Sequence, residues 1–185
     1  MDGTLTIAVH DFDAIRLELG LPAGKPILEA LADLPEAVAK GLFERLDELE
    51  LELARRARAA EGAAGLLDAL AERSARLGIV TRNSHANSLA TLDACGLARY
   101  FHPAHIVGRE AAVPKPDPGG IHRLLGAWRA APHEAVMVGD YRFDLVAGRA
   151  AGTATVYVDA SGEFPFAEHA DVSVRSLAEL ARKLR

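Results

Sequence analysis

A lone cysteine, Cys95, excludes any internal disulfide from this 185-residue chain. It sits in Leu92-Asp93-Ala94-Cys95-Gly96-Leu97, which reads as a helix end. With no basic neighbour in sequence to depress its pKa, it is expected to be a small buried hydrophobe rather than a nucleophile. No apolar run approaches the ~20 residues of a membrane-spanning helix, so no membrane partner is expected. Met1-Asp2-Gly3-Thr4 has no basic stretch leading into an apolar one, as a secretory leader requires. A soluble cytoplasmic protein is therefore expected. Positive charge is also short: 21 Lys and Arg stand against 26 Asp and Glu, a net charge of −5. Nucleic-acid binding asks for a concentrated basic surface and is not expected. Among the scattered histidines only His102 and His105 are close, Pro103 lies between them and no cysteine is near, so zinc is not expected.

What is present is ordinary globular composition, half hydrophobic and a quarter charged. The first third is helical in pattern. Helices are expected over Asp11–Leu21, Pro26–Leu34, Pro35–Ala60 and Leu66–Arg76, with breaks at Pro22-Ala23-Gly24, Gly62 and Gly65. Leu42, Leu46, Leu49, Leu51 and Leu53 give the longest helix an apolar face. The charged run from Glu44 to Arg58 reads as its solvated side.

The pattern then changes. Short β-branched runs at 77–81, 105–108, 135–139 and 153–158 alternate with helices expected at Ser84–Ala94, Asp117–Ala130, Phe143–Ala151 and Ser176–Leu184. Alternation of this kind predicts an α/β fold, a doubly wound parallel sheet. The early helices lie outside the alternation and read as a small helical cap inserted near the start. The expected division is an α/β core of residues 1–8 and 66–185 and a cap of residues 9–65.

In an open parallel sheet, ligands bind beyond the carboxyl ends of the strands. Four segments fall there or beside it: Asp2-Gly3-Thr4 at the start, Thr81-Arg82-Asn83 after Ile79-Val80, Lys115-Pro116, and Gly139-Asp140 through Asp144 after Val136-Met137-Val138. Each alone is common; the four in this order are specific. Together they resemble the haloacid dehalogenase superfamily, in its phosphoglycolate-phosphatase-like branch, over residues 1 to about 160. The family's first motif is Asp-x-Asp-Gly-Thr. Asp2-Gly3-Thr4 matches its second half, with Met1 as x. The nucleophilic Asp would immediately precede Met1, together with the central strand that carries it. A start assigned to the internal Met of such a motif is the expected explanation, with roughly ten further residues upstream; a catalytically dead homologue is the rival.

The resemblance implies a Rossmann-like core and a magnesium-dependent phosphatase of a small phosphate ester, monomeric or weakly dimeric. Side chains two apart on a strand point the same way, so the missing Asp and Asp2 would share a face. The former would attack phosphorus and form an aspartyl-phosphate, and Asp2 would protonate the leaving oxygen. Thr81, Arg82, Asn83 and Lys115 are expected to bind phosphate, with Thr81 and Lys115 counted among the catalytic residues. Asp2, Asp140 and Asp144 are expected around Mg2+, a hard cation suited to oxygen ligands, with Asp144 acting in the shell or through Lys115. The resemblance leaves open a phosphomutase of the same superfamily or an inactive binding protein. A dehalogenase would lack the acid at Asp2, and a receiver-type signalling domain would lack the cap.

Overall fold

A computed structural model describes residues 1–8 and 11–184. Val9, where the cap was expected to begin, lies outside the described residues. Three helices precede the first strand in the stretch expected as the cap: α1 (Phe12–Glu18), α2 (Ile27–Ala32) and α3 (Glu36–Ala54). The core follows as α4 (Ala63–Glu72), β1 (Ile79–Val80), α5 (His85–Ala94), β2 (Ile106–Val107), α6 (Gly119–Trp128), β3 (Val136–Gly139), α7 (Arg142–Ala150), β4 (Ala154–Val158), β5 (Val172–Val174) and α8 (Leu177–Lys183).

Alternation along the strands sorts side chains onto two faces. Ile79, Ile106, Val156, Val158 and Val174 pack with Leu66 and Leu67 of α4, Leu92 of α5 and Leu177 of α8. Val80 and Met137 turn the other way, onto Ile121, Leu125, Ala147 and Ala151 of α6, α7 and the turn beyond. Helices therefore cover both faces of parallel strands, as the α/β pattern requires. The sheet, however, is in two parts. β1 pairs in parallel with β2, and β3, β4 and β5 form a separate parallel set. Among the described residues no strand joins β1 to β3. Between them runs an apolar groove of about 70 Å³, lined by Gly78, Val80, Val136 and Met137 and floored by Ile121, Leu124, Leu125 and Trp128 of α6. Val136 is 56% exposed beside it, unusual for a strand valine in a parallel sheet.

The cap has its own core of Ile15, Leu19, Ile27, Leu31 and Leu46. Asp11 caps α1 by accepting from the Ala14 amide at 2.9 Å, but α1 ends at Glu18 rather than Leu21. The helix expected to run to Ala60 ends at Ala54. Residues beyond it return to the core as an extended connector that lies against the outgoing one. The Ala60 amide donates to the Leu5 carbonyl at 2.8 Å, and the Ile7 amide to the Arg58 carbonyl at 2.9 Å. That pairing competes with helix continuation and wins because it satisfies the backbone of both connectors. β5 was not evident in the sequence: Val172-Ser173-Val174 is too short a run to show a period, and its pairing with β4 defines it.

Gly62, at φ +80°, turns the returning connector into α4, and an added Cβ there would lie 2.3 Å from the Ala178 backbone nitrogen. Gly65, inside α4, has nothing within 4 Å of such an atom. Gly62→Ala is expected to destabilise by about 2–3 kcal/mol, from a strained φ and a backbone clash. Gly65→Ala is expected to stabilise by roughly 0.5–1 kcal/mol, as glycine costs that much inside a helix. Urea denaturation of the two variants should shift the midpoint in opposite directions.

Candidate active site

The carboxyl ends of β1 and β3, and the turn at the start of the chain, converge on one cavity of about 420 Å³ beneath the cap. Asp2, Thr81, Arg82, Asn83, Lys115, Asp140 and Asp144, all expected from sequence, line it. The turn comes first. Gly3 adopts φ +76°, and a Cβ on it would sit 2.2 Å from Oδ2 of Asp140, so only glycine lets the turn lie this close to that carboxylate. Thr4, buried, donates its hydroxyl to Oδ1 of Asp140 at 2.5 Å. Asp2 accepts from the Asn83 side-chain amide at 2.7 Å and from the Thr6 hydroxyl at 3.2 Å. One polar chain thus links the first turn to the ends of both sheets.

Thr81 is buried, and its Oγ1 accepts from the Asn83 amide at 3.2 Å. Lys115 is also buried rather than solvated. Its ammonium donates to the Val80 carbonyl at 2.5 Å and to Oδ1 of Asp144 at 2.6 Å. The other oxygen of Asp144 accepts from the Tyr141 amide at 3.1 Å, so both of its oxygens are engaged. Arg82 donates to the Lys115 carbonyl at 2.5 Å, pairs with Glu29 of the cap at 2.6 Å, and lies 5.0 Å over the Phe143 ring.

Two carboxylates four residues apart respond oppositely to this environment. Burial raises the pKa of Asp140, and the like charge of Asp144 adds to it, outweighing the amino terminus, the Thr4 hydrogen bond and Lys115. Burial would raise Asp144 too, but the Lys115 ammonium and its hydrogen bond hold that carboxyl below the usual range. Oxygen donors of Asp2 and Asp140 facing one cavity suit a hard cation such as Mg2+ in type. In number they fall short: among the described residues no group of three or more His, Cys, Asp and Glu is placed to hold a metal.

The cap contributes residues that the sequence did not single out. Glu50 falls in the charged run read as a solvated face, yet it is buried. It pairs with Arg109 at 2.9 Å and accepts from Asn87 at 3.0 Å, while Arg109 also holds Asp47. Burial pushes the Glu50 carboxyl up against the pull of Arg109. A signal was available: Glu50 lies four residues after Leu46 and four before Ala54, both buried, so a charge stands in the apolar register of α3. His102 and His105 pack their rings 5.5 Å apart, and His105 meets Trp128 edge-on, in keeping with packing roles.

Residues 17–158 match the family described as haloacid dehalogenase-like hydrolase. A haloacid dehalogenase-like hydrolase domain-containing protein of Arabidopsis thaliana is 27% identical over 176 residues, covering 89% of this chain and 70% of that protein. A phosphoglycolate phosphatase of Mesorhizobium japonicum is 40% identical over 84 residues, covering 45% of this chain and 36% of its own. A pyrophosphatase PpaX of Bacillus pumilus is 37% identical over 92 residues, covering 50% of this chain and 42% of its own. The matches to these two phosphatases thus span less than half of either. A hydrolase from Pseudomonas syringae superposes with a TM-score of 0.78 at 22% identity, over 99% of this chain and 94% of its own. CbbY from Rhodobacter sphaeroides, solved in complex with phosphate, superposes with a TM-score of 0.72 at 22% identity, over 97% and 93%.

Removing Lys115 should leave Asp144 as an unpaired buried charge. Lys115→Met is expected to cost about 3–5 kcal/mol at pH 7, and Lys115→Met with Asp144→Asn markedly less. Because the folded carboxyl titrates low, its stabilising contribution is complete above the unfolded value of about 3.9 and is lost as pH falls through the folded one. The gap between native protein and Lys115→Met should therefore narrow below about pH 5, measured by denaturant titration across pH.

Proposed function

Because this chain belongs to the haloacid dehalogenase-like hydrolases, we propose that its cavity is the active site of a magnesium-dependent phosphatase of small phosphate esters working through an aspartyl-phosphate. The observation that carries the reading is the convergence of Asp2, Thr81, Lys115 and Asp140 on one cavity from four separate stretches of chain.

Phosphoryl transfer asks mainly for positioning and for charge placed where the phosphoryl oxygens sit. The Thr81 hydroxyl and the Asn83 amide lie next to each other at the end of β1 and suit two of those oxygens. Lys115 supplies a fixed positive charge in surroundings that exclude most water, where it acts more strongly than a solvated lysine. Asp2, oriented by Asn83 and Thr6, is placed to give a proton to the leaving oxygen and later to take one from the hydrolytic water. The attacking carboxylate belongs one residue before Met1, where the side-chain period of two would put it on the same face as Asp2. The groove between β1 and β3 supports a strand leading into that position, since among the described residues each of these strands has one unpaired edge. With that carboxylate, the Asp2 main-chain carbonyl and Asp140 complete an oxygen set for magnesium, which when bound would neutralise charge on the phosphoryl group.

The test compares residues 1–185 with the same protein carrying an apolar strand that ends in Asp directly before Met1. The extended protein is expected to hydrolyse 4-nitrophenyl phosphate only with Mg2+. Residues 1–185 alone, and an extended form with Asn in place of the added Asp, are expected to be inactive. In the extended form Asp140→Asn should lower kcat/KM by about 100-fold or more. A folded extended protein that turns over neither this ester nor a panel of metabolite phosphates would replace the phosphatase reading with that of a binding protein.

A further inference from the structure

Arg109 is not among the residues that line the cavity, and its side chain is only 6% exposed. Its hydrogen bonds nevertheless run to the Thr81-Arg82-Asn83 loop on one side and to α3 of the cap on the other. Toward the loop, its main-chain amide donates to the Asn83 carbonyl at 3.0 Å, and Nη1 donates to the Arg82 carbonyl at 3.3 Å. Two successive carbonyls of the loop are thus held by one residue. Toward the cap, Nη1 meets Glu50 at 2.9 Å and Nη2 meets Asp47 at 2.5 Å. Gly108 permits the close approach: a Cβ on it would lie 2.7 Å from the His85 amide nitrogen and 3.0 Å from the Asn83 carbonyl oxygen.

The Arg82 carbonyl is one end of a peptide unit whose other end is the Asn83 N–H. The unit is trans, so the two groups point in opposite directions. A guanidinium gripping the carbonyl therefore aims the N–H the other way, toward Thr81 Oγ1 on the cavity wall, 3.2 Å away. That N–H is one of the two donors assigned above to the phosphoryl oxygens. A peptide plane already fixed has no reordering to do when phosphate arrives. A carbonyl that accepts from a cation also polarises its own unit and strengthens the N–H as a donor. The fork of an arginine reaches all three acceptors at once, the carbonyl and both carboxylates, which a single ammonium does not. Apolar residues of similar volume fill the place of a buried ion pair at little or no cost, but they would leave the Arg82 carbonyl unheld.

We propose that Arg109 is a positioning residue for phosphate: held by Asp47 and Glu50 of α3, it fixes the Arg82–Asn83 peptide unit so that the Asn83 N–H faces the phosphoryl group. The proposal rests on the phosphate-site reading above. It gives α3 a part in shaping the phosphoryl end of the site from outside the cavity, through a residue that touches no substrate. The demand on the cap is small, two carboxylates presented at one place.

The test follows the backbone amide signals of the 185-residue chain by NMR while inorganic phosphate is added in Mg2+ buffer. In the native chain the Asn83 signal should move as phosphate binds. Arg109→Gln should displace that signal before any phosphate is present and weaken phosphate binding about tenfold, with the signals of β4, β5 and α8 unmoved. Arg109→Lys, which keeps the charge but not the fork, should weaken binding less, and it takes the place of Arg109→Gln if circular dichroism shows that variant unfolded. A mere brace between cap and core would lower the urea midpoint and nothing else. An unmoved Asn83 signal, or native phosphate affinity, in the folded variant would therefore overturn the role of Arg109 while leaving the phosphate site standing. A native chain whose signals do not respond to phosphate would remove the phosphate site, and this role with it.

Discussion

Lys115 is where the two sheets are tied. Its ammonium reaches the carbonyl of Val80, the last residue of β1, and the carboxylate of Asp144 on α7, the helix that follows β3. One side chain therefore spans the two strand ends that carry Thr81 and Asp140. Both members of the ion pair are buried, so the attraction acts with little screening, and breaking it by removing one partner leaves the other stranded. The placement of Thr81 relative to Asp140, on which any chemistry in the cavity depends, is set through this contact. Arg82 reinforces it by donating to the Lys115 carbonyl, and through Glu29 it extends the same network to the cap.

The cavity concentrates acids: Asp2, Glu50, Asp140 and Asp144 all line it. Each is accommodated differently, and the differences sort their roles. Asp144 and Glu50 are given cations and hold structure together. Asp2 is given neutral donors, which orient a carboxylate without discharging it. Asp140 accepts from the Thr4 hydroxyl and feels the amino terminus and Lys115 at a distance, yet burial raises its pKa. A buried carboxylate without a paired cation gains more from a nearby positive charge than one already held by an ammonium or a guanidinium.

Much of this was legible in the residues alone. Thr81, Asp140 and Asp144 could be placed because each follows an apolar run whose length marks a buried strand, whereas Lys115, in a loop between prolines, stood out only through the order of the four segments and the resemblance. The two-part sheet was legible only through the resemblance, since a strand period says what a segment is and not which neighbour it pairs with. Three features escaped. The connector at residues 58–60 continues a helical pattern and is drawn out of it by pairing with residues 5–7, a contact more than fifty positions away in sequence. β5 is too short to show a period. Glu50 was read with its charged neighbours, although the spacing from Leu46 set it apart. In each case the deciding interaction is long-range, and a local pattern carries no record of it.

The two connectors between core and cap bear on how such a protein can change. The chain leaves the core at Leu5 and comes back at Ala60 within a single hydrogen bond, 2.8 Å from amide to carbonyl. To the core, everything in between is a loop whose ends are already shut. Closing a loop grows more costly only with the logarithm of its length. The inserted helices can therefore be lengthened, shortened or exchanged wholesale at small thermodynamic expense, while the strand ends beneath keep their geometry. A lineage could retarget its chemistry by trading roofs over an unchanged floor.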